Sequence, residues 1–150
     1  MTRPPKRVLF VCLGNACRSQ MAEAFARVYG ADALVAASAG ITPAMAIPPD
    51  TVRAMAEKQI DLRGQFPKSI RHLGRSQFDL VVNMTGFALP DGIGAPVEEW
   101  IVPDPVAMKY EEHCTVRDEI ERLVMDLILK LRREQRAPRF RGQGSGRLKT

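Results

Sequence analysis

A short apolar strand that runs into a glycine-containing turn and then a helix is the feature that most restricts this chain. Residues 8–11 read VLFV, an apolar run typical of a buried parallel strand. The turn CLGNACRS follows at residues 12–19, and apolar residues then recur at helical spacing as far as Gly30. A strand end, a tight turn and a helix N-terminus are therefore expected to meet at residues 12–19.

This turn carries groups that can bind and attack a tetrahedral anion. The N–H groups at a helix N-terminus favour an anion, and Gly14 and Asn15 allow the backbone to curl so that its N–H groups point inward. Arg18 adds a planar guanidinium that can bind two oxygens. The same field favours the nucleophilic thiolate of Cys12, and Ser19 is placed to donate a hydrogen bond to it. We predict that Cys12 attacks phosphorus to form a phosphocysteine, which water then hydrolyses.

A purely structural turn and a nucleotide-binding turn both fit these residues less well. A purely structural role would bury Cys12 at a strand end and leave Arg18 on the surface, but the adjacent Gly14 and Asn15 would then have no purpose. A nucleotide-binding P-loop is disfavoured because no Gly-Lys-Ser/Thr follows the turn.

The body of the chain alternates strand and helix, which predicts an α/β fold. We expect a single three-layer domain with a four-stranded parallel sheet, helices on both faces and the phosphate-binding loop after the first strand. The predicted strands are 7–11, 34–38, 79–84 and 99–102, and the predicted helices are 17–29, 49–58, 68–74 and 112–133.

Charge divides the chain into a body and a basic tail. The 150 residues carry a net charge of +5, but residues 132–150 hold seven Lys or Arg against one acidic residue, which leaves residues 1–131 with a charge of −1. Glycines and Pro138 predict that the tail at 132–150 is flexible. We expect it to aid solubility rather than to bind nucleic acid.

Residues 6–131 resemble the low-molecular-weight protein tyrosine phosphatases and the arsenate reductases that share their fold. The turn at 12–19, Ser38-Ala39-Gly40, the strand DLVVNM at 79–84 and Asp104-Pro105 carry the resemblance. It implies that Cys12 is the nucleophile, Arg18 the oxyanion clamp and Asp104 the general acid, a role that a carboxylic acid near a leaving oxygen can fill. The remaining turn residues are predicted to bind the substrate, and these are Leu13, Gly14, Asn15, Ala16, Cys17 and Ser19.

Two roles are open for Cys17. In the families that this chain resembles, a cysteine at this position can close a reversible disulfide with the nucleophile, which would protect Cys12 from irreversible oxidation. The alternative is a small buried residue at the start of the first helix.

Different parts of the sequence point to different branches of this family. Gln20 stands where the tyrosine phosphatases usually carry proline, as in the arsenate reductases. The thioredoxin-fed reductases use two cysteines after the third strand, whereas residues 85–91 read TGFALPD, so arsenate reduction would need an external thiol. Tyrosine-specific phosphatases usually place an aromatic residue after Asp-Pro, and Val106 stands there. We predict a phosphomonoester hydrolase of the low-molecular-weight tyrosine phosphatase type, with arsenate reductase and a non-catalytic phosphate-binding module as alternatives.

The sequence also indicates the substrates and the compartment. The expected substrate is a phosphorylated protein, a small aryl phosphate or arsenate, and no cofactor is expected. No metal is expected either, because His72 and His113 lack neighbours at metal-ligand spacing. No apolar run approaches the ~20 residues that cross a bilayer, and three cysteines suit a reducing compartment. We therefore expect a cytoplasmic protein without a membrane partner.

Overall fold

The computed structural model describes residues 3–74 and 77–137, which form an α/β structure around one parallel sheet. Within these residues the four strands lie in the order β2-β1-β3-β4, and every pairing is parallel. The strands are β1 (Lys6–Cys12), β2 (Leu34–Gly40), β3 (Leu80–Asn83) and β4 (Val97–Glu99), and the α-helices are α1 (Arg18–Tyr29), α2 (Pro49–Ala56) and α3 (Tyr110–Arg136). The predicted four-stranded parallel sheet is confirmed.

The predicted elements differ from the structure mainly in the short segments of the second half of the chain. The last strand is Val97–Glu99 rather than 99–102, and residues 68–74 form only a 3₁₀ helix at Ile70–Leu73. A second 3₁₀ helix, Pro105–Ala107, lies between β4 and α3. Short segments of this kind carry too few periodic positions for the pattern to fix their type or limits.

The two faces of the sheet are covered unequally. One face packs against α1 and α3, and its fully buried side chains include Phe10, Phe25, Met21 and Ile120. The opposite face holds a smaller apolar cluster around Leu9, which is covered by the 3₁₀ helix Ile70–Leu73 and by loop residues. The main core therefore lies on the helical face, directly below the N-terminus of α1.

The strand register brings the turn after β1 to the carboxyl edge of the sheet. Cys12, the last residue of β1, lies opposite Gly40 of β2, and Val11 lies opposite Asn83 of β3. Strand β1 pairs with β2 on one side and with β3 on the other, so successive connections place their strands on opposite sides of β1. The carboxyl end of β1 is therefore the topological switch point of the sheet. Ligands of open parallel sheets bind in the crevice at such a point.

The last helix extends into the segment predicted to be a flexible tail. α3 continues to Arg136, beyond both the predicted helix end at 133 and the domain boundary at 131. Arg132 donates to the carboxylate of Asp32 and to the carbonyl of Tyr29, which attaches this part of the helix to the body. The rest of the tail, residues 138–150, lies outside the described residues. Among the helices described, none is both long and apolar enough to cross a membrane.

Gly40 provides a test of how closely β2 packs against the turn after β1. A Cβ at this position would lie 2.7 Å from the carbonyl oxygen of Leu13 and 2.8 Å from the backbone nitrogen of Asn15. Since both atoms are backbone, the Gly40→Ala variant should lose about 1–3 kcal/mol of unfolding free energy, as overpacked variants do.

Chemical denaturation measures this loss, with Val35→Thr as the control on the same strand. Val35 is 56% exposed, so its variant should stay within about 0.5 kcal/mol of the wild type. Equal stability of Gly40→Ala and the wild type would contradict the close approach.

Candidate active site

A small cavity opens at the carboxyl edge of the sheet, where the turn after β1 meets the loop after β4. Its volume is about 100 Å³. We call residues 12–19 the anion loop and residues 102–106 the acid loop. The described residues that line the cavity come from these two loops and from the segment after β2, and they are Cys12, Gly14, Ala16, Cys17, Arg18, Ala44, Asp104 and Val106.

The anion loop is held in its curled shape by Asn15. This residue is fully buried and has a φ of 49°, in the left-handed region that asparagine tolerates. Its Oδ1 accepts hydrogen bonds from the backbone N–H of Lys68 at 3.0 Å and from the side chain of Gln20 at 3.1 Å. Its Nδ2 donates to Ser19 Oγ at 2.7 Å. The loop-shaping geometry expected of Asn15 is therefore present.

The chain after β2 also supports the anion loop from outside. The backbone N–H groups of Thr42 and Ala44 donate to the carbonyls of Leu13 and Gly14, at 2.8 and 2.9 Å. Such bonds fix the carbonyls outward, which leaves the inner side of the loop to N–H groups. Ala44 is thereby placed in the cavity wall, and sequence reasoning missed it because nothing in its local pattern marks it.

Ser19 links the loop-shaping residue to the nucleophile candidate. Its Oγ lies 2.9 Å from Cys12 Sγ and accepts the hydrogen bond from Asn15 Nδ2. Because Asn15 supplies the proton in one of these contacts, the hydroxyl proton of Ser19 is left to donate to the sulfur. A hydroxyl donor aimed at Sγ is placed to stabilise negative charge on the sulfur.

Arg18 is buried and binds backbone at the edge of the cavity. Its Nη1 donates to the carbonyl of Met84 at 2.6 Å and to that of Val102 at 3.1 Å. Its Nη2 lies 3.5 Å from Asp104 Oδ2. These contacts fix the guanidinium between the end of β3 and the acid loop, so a positive charge stands beside the cavity and close to a carboxylate.

Asp104 enters the cavity from the other side of Arg18. Its Oδ1 accepts a hydrogen bond from the backbone N–H of Val106 at 3.1 Å, so the carboxylate also caps the 3₁₀ helix that follows. The side chain is 42% exposed. A carboxyl group that reaches both solvent and the cavity can take up a proton and deliver it to a bound molecule.

Cys17 lines the same cavity but has a different environment from Cys12. Its Sγ lies 3.2 Å from the hydroxyl of Thr51, and that hydroxyl is 3.0 Å from His113 Nε2. Burial raises the pKa of Cys17 to about 11 and lowers the pKa of His113. Cys17 is therefore a thiol at neutral pH, and the His113 imidazole next to Thr51 is neutral.

The structure brings most of the predicted site residues together at one cavity. Leu13, which is also predicted from the sequence to bind the substrate, is not among the residues that line the cavity, and its carbonyl accepts a hydrogen bond from the backbone N–H of Thr42. Its role in substrate binding stays a prediction. Asn15 and Ser19 act behind the lining, by holding the loop and the sulfur. Cys114, on α3, is half-buried and interacts with Tyr110, away from the residues that line the cavity.

The described residues also bear on metal binding. Within 3–74 and 77–137, no group of three or more His, Cys, Asp and Glu side chains is arranged to hold a metal ion. The expectation that the protein needs no metal stays a prediction.

Comparison with known proteins identifies the family. Residues 7–91 match the family described as low molecular weight phosphotyrosine protein phosphatase. The glutaredoxin arsenate reductase of Synechocystis sp. is 33% identical over 130 residues, which is 84% of this chain and 98% of that protein. The chain belongs to the low-molecular-weight phosphotyrosine protein phosphatase family, as its resemblance in the anion loop implied.

Solved structures agree on the fold and include two kinds of enzyme. An arsenate reductase in the phosphate-binding state is 34% identical, with a TM-score of 0.77 over 84% of this chain and 98% of that one. The low molecular weight protein tyrosine phosphatase of T. tengcongensis is 28% identical, with a TM-score of 0.69 over 83% of this chain and 99% of that one. The chain is therefore an enzyme of this superfamily, with arsenate reductases and phosphatases among its neighbours.

The hydrogen bond from Ser19 to Cys12 gives a prediction about thiol reactivity. We expect the Ser19→Ala variant to react with iodoacetate at Cys12 at least about tenfold more slowly at pH 7, because a hydrogen bond to a charged group contributes about 1.5–3 kcal/mol. Peptide mapping by mass spectrometry measures the rate at Cys12 itself. The Thr115→Val variant, which removes a hydroxyl from the exposed side of α3, should react at the wild-type rate, and equal rates in all three proteins would refute the role of Ser19.

Proposed function

We propose that this protein is an arsenate reductase that takes its electrons from an external thiol. The observation that carries the proposal is the cavity wall around Cys12, which consists of small or aliphatic residues such as Ala16, Ala44 and Val106. None of the described residues in this lining is aromatic, and its volume of about 100 Å³ suits a bare tetrahedral anion better than an aryl ester. The similarity to relatives named arsenate reductase supports the same choice.

The aromatic residues that could have bound a phenol ring lie elsewhere. Phe66 lines a neighbouring groove with Met45, and Tyr110 stacks on Arg53, whose guanidinium carbon is 3.8 Å from the ring centroid. Val106, at the position after Asp104-Pro105, is 62% exposed at the mouth of the cavity. A phenyl group bound here would meet one valine side chain and solvent, which is a weak basis for selecting phosphotyrosine.

The first step is the attachment of arsenic to Cys12. The thiolate attacks arsenate, an S–As bond forms, and an As–O bond breaks as Asp104 protonates the departing oxygen to give water. Arg18 and the N–H groups of the anion loop stabilise the negative oxygens during this exchange. Ser19 and Asn15 have supporting roles in this step. Ser19 donates a hydrogen bond to Cys12 Sγ, and Asn15 holds the anion loop in shape.

The second step transfers two electrons to arsenic. An external thiolate attacks Cys12 Sγ, so that an S–S bond forms and the S–As bond breaks with its electron pair remaining on arsenic. Arsenite leaves, and a second thiol cleaves the mixed disulfide to regenerate Cys12. Overall, one arsenate and two thiols give arsenite, a disulfide and water. The thiol is taken to be external because Cys114 lies beside Tyr110, away from the cavity, and because burial raises the pKa of Cys17 to about 11, which keeps that sulfur a protonated and poor nucleophile.

Arsenate-dependent oxidation of a small thiol such as glutathione is the direct test. We expect turnover in the wild type, no turnover in Cys12→Ser, and wild-type turnover in the matched control Cys114→Ser. Arsenite formation should equal half of the thiol consumed, since two thiols reduce each arsenate. A wild type that binds arsenate but turns over neither arsenate nor an aryl phosphate would instead support the non-catalytic phosphate-binding module.

Phosphomonoester hydrolysis, the activity predicted from the sequence, is the second candidate. It is favoured by the placement of Asp104 and Arg18 on the same cavity as Cys12, the arrangement that a phosphocysteine mechanism needs. The similarity to the T. tengcongensis phosphatase supports it too. Arsenate and phosphate esters would share the first step, so the two activities differ in what attacks next: a thiol at sulfur or water at phosphorus.

Leaving-group dependence tests the acid role of Asp104 in this second activity. For an aryl phosphate with a poorly acidic phenol, Asp104→Asn should lower kcat by about 10²–10⁴, the usual contribution of a general acid. For an ester of a strongly acidic nitrophenol the loss should be much smaller, because that leaving group needs little protonation. Phosphate binding serves as the control and should stay unchanged. Equal losses on both esters would place the acid elsewhere.

A further inference from the structure

One buried amide side chain, that of Gln20, binds the anion loop from behind and has no role in the mechanism described above. Gln20 directly follows the loop, in the first turn of α1, and it is fully buried. Its amide reaches residues 65–68, which we call the backing segment. The anion loop is thereby attached to a part of the chain that lies 46 residues further on.

The Gln20 amide makes hydrogen bonds at both of its ends. Its Nε2 donates to the carbonyl of Phe66 at 2.9 Å, to the carbonyl of Asn15 at 3.0 Å and to Asn15 Oδ1 at 3.1 Å. Its Oε1 accepts a hydrogen bond from Gln65 Nε2 at 2.7 Å. An amide nitrogen carries two protons, so one of the N–H groups is shared between two of these acceptors. Both ends of this buried amide are therefore paired.

Backbone groups fix which end of the Gln20 amide faces the anion loop. The carbonyls of Phe66 and Asn15 can only accept hydrogen bonds, so the nitrogen of the Gln20 amide must face them. A reversed amide would place Oε1 against two carbonyl oxygens, and unpaired buried acceptors are costly. The oxygen of the Gln20 amide is then left to accept from Gln65.

This orientation sets the direction of the hydrogen bonds that reach Cys12. The Gln20 nitrogen and the backbone N–H of Lys68 are both donors, and they bind the oxygen of the Asn15 amide. The nitrogen of that amide is left for Ser19, and it donates to Oγ at 2.7 Å. Because Ser19 Oγ accepts this bond, its own proton is available for Cys12 Sγ, which is 2.9 Å away.

Both donors on the Asn15 oxygen depend on Gln20. One is the Gln20 amide itself, and the other, the N–H of Lys68, belongs to the backing segment that Gln20 binds. Gly40 holds Lys68 from the other side, since the Gly40 N–H donates to the Lys68 carbonyl at 2.8 Å. Loss of the Gln20 amide would therefore weaken the hold on the Asn15 oxygen without abolishing it.

We propose that Gln20 is a positioning residue that directs the hydroxyl proton of Ser19 to the sulfur of Cys12. It presents N–H groups to Asn15 and so fixes the orientation of the Asn15 amide. Gln20 is not among the described residues that line the cavity, so it acts through Asn15 and Ser19. The inference rests on the proposed function in one respect, that Cys12 is the nucleophile, and phosphate ester hydrolysis shares that role.

Alkylation of Cys12 in the Gln20→Met variant tests the proposal. Methionine has nearly the length of glutamine but no N–H donor, so it leaves the Asn15 oxygen to Lys68 alone. We expect iodoacetate to modify Cys12 about threefold to tenfold more slowly than in the wild type at pH 7. The loss should be smaller than in Ser19→Ala, because the hydroxyl remains and only its direction is lost.

The Gln135→Met variant is the matched control. Gln135 also donates from its amide to two backbone carbonyls, those of Arg3 and Asp32, and none of these residues lines the cavity. Cys12 of the control should react at the wild-type rate, and a wild-type rate in Gln20→Met would overturn the proposal. If Cys12 of the wild type did not react with iodoacetate at all, the nucleophile of the proposed function would fail, and this inference with it.

A double-mutant cycle with Ser19→Ala tests the route from Gln20 to the sulfur. Once the hydroxyl is absent, Gln20→Met should have no further effect on the rate at Cys12, because the proton that Gln20 directs no longer exists. The same fractional loss with and without the hydroxyl would overturn the proposal and leave Gln20 a structural residue. A loss of packing alone would slow alkylation in both backgrounds.

Amide NMR of the wild type gives a readout that needs no variant. The side-chain N–H protons of Gln20 and Asn15 should exchange with solvent much more slowly than those of Gln59, which is exposed. Exchange at Gln20 as fast as at Gln59 would show that its amide is not held, and would overturn the proposal. This measurement remains decisive if Gln20→Met does not fold.

Discussion

The active site depends on one buried asparagine that holds the backbone of the anion loop in a left-handed conformation. Asn15 has a φ of 49°, and its amide group bonds to the Lys68 backbone, Gln20 and Ser19. A non-glycine residue in this region costs free energy, about 1–3 kcal/mol in strained cases, and three hydrogen bonds, two of them buried, offset that cost. The same amide orients the hydroxyl of Ser19 toward Cys12, so loop shape and sulfur chemistry have a common origin.

The other chemical groups reach the cavity from distant parts of the chain. Arg18 begins α1, yet its guanidinium binds carbonyls at Met84 and Val102, which connects the first helix to the end of β3 and to the acid loop. Asp104 lies 3.5 Å from that guanidinium. Because parallel strands present their carboxyl ends at one edge of the sheet, these segments meet there without long connections. The cavity wall is then completed by small or aliphatic side chains such as Ala16, Ala44 and Val106.

Much of the fold could be predicted because its longer elements have strong patterns. The apolar run at 8–11 and the helical stripe of α3 have periodicities that tertiary contacts reinforce, and both elements formed. The short elements were less predictable. Residues 68–74 became a single 3₁₀ turn, and the last strand moved to Val97–Glu99, because pairing with β3 rather than local preference fixes where it lies.

The make-up of the anion loop can be predicted from a short stretch of sequence, since Cys12, Asn15, Arg18 and Ser19 lie within eight consecutive residues whose local geometry follows from a strand, a turn and a helix start. The surroundings of that loop depend on the folded structure instead. Contacts between segments far apart in sequence place Ala44 in the cavity wall and Leu13 outside it. Contacts of the same kind bring Thr51 between Cys17 and His113. Local preferences act over a few residues, whereas these contacts arise when packing of the core brings separate elements together, and a single sequence carries no direct record of them.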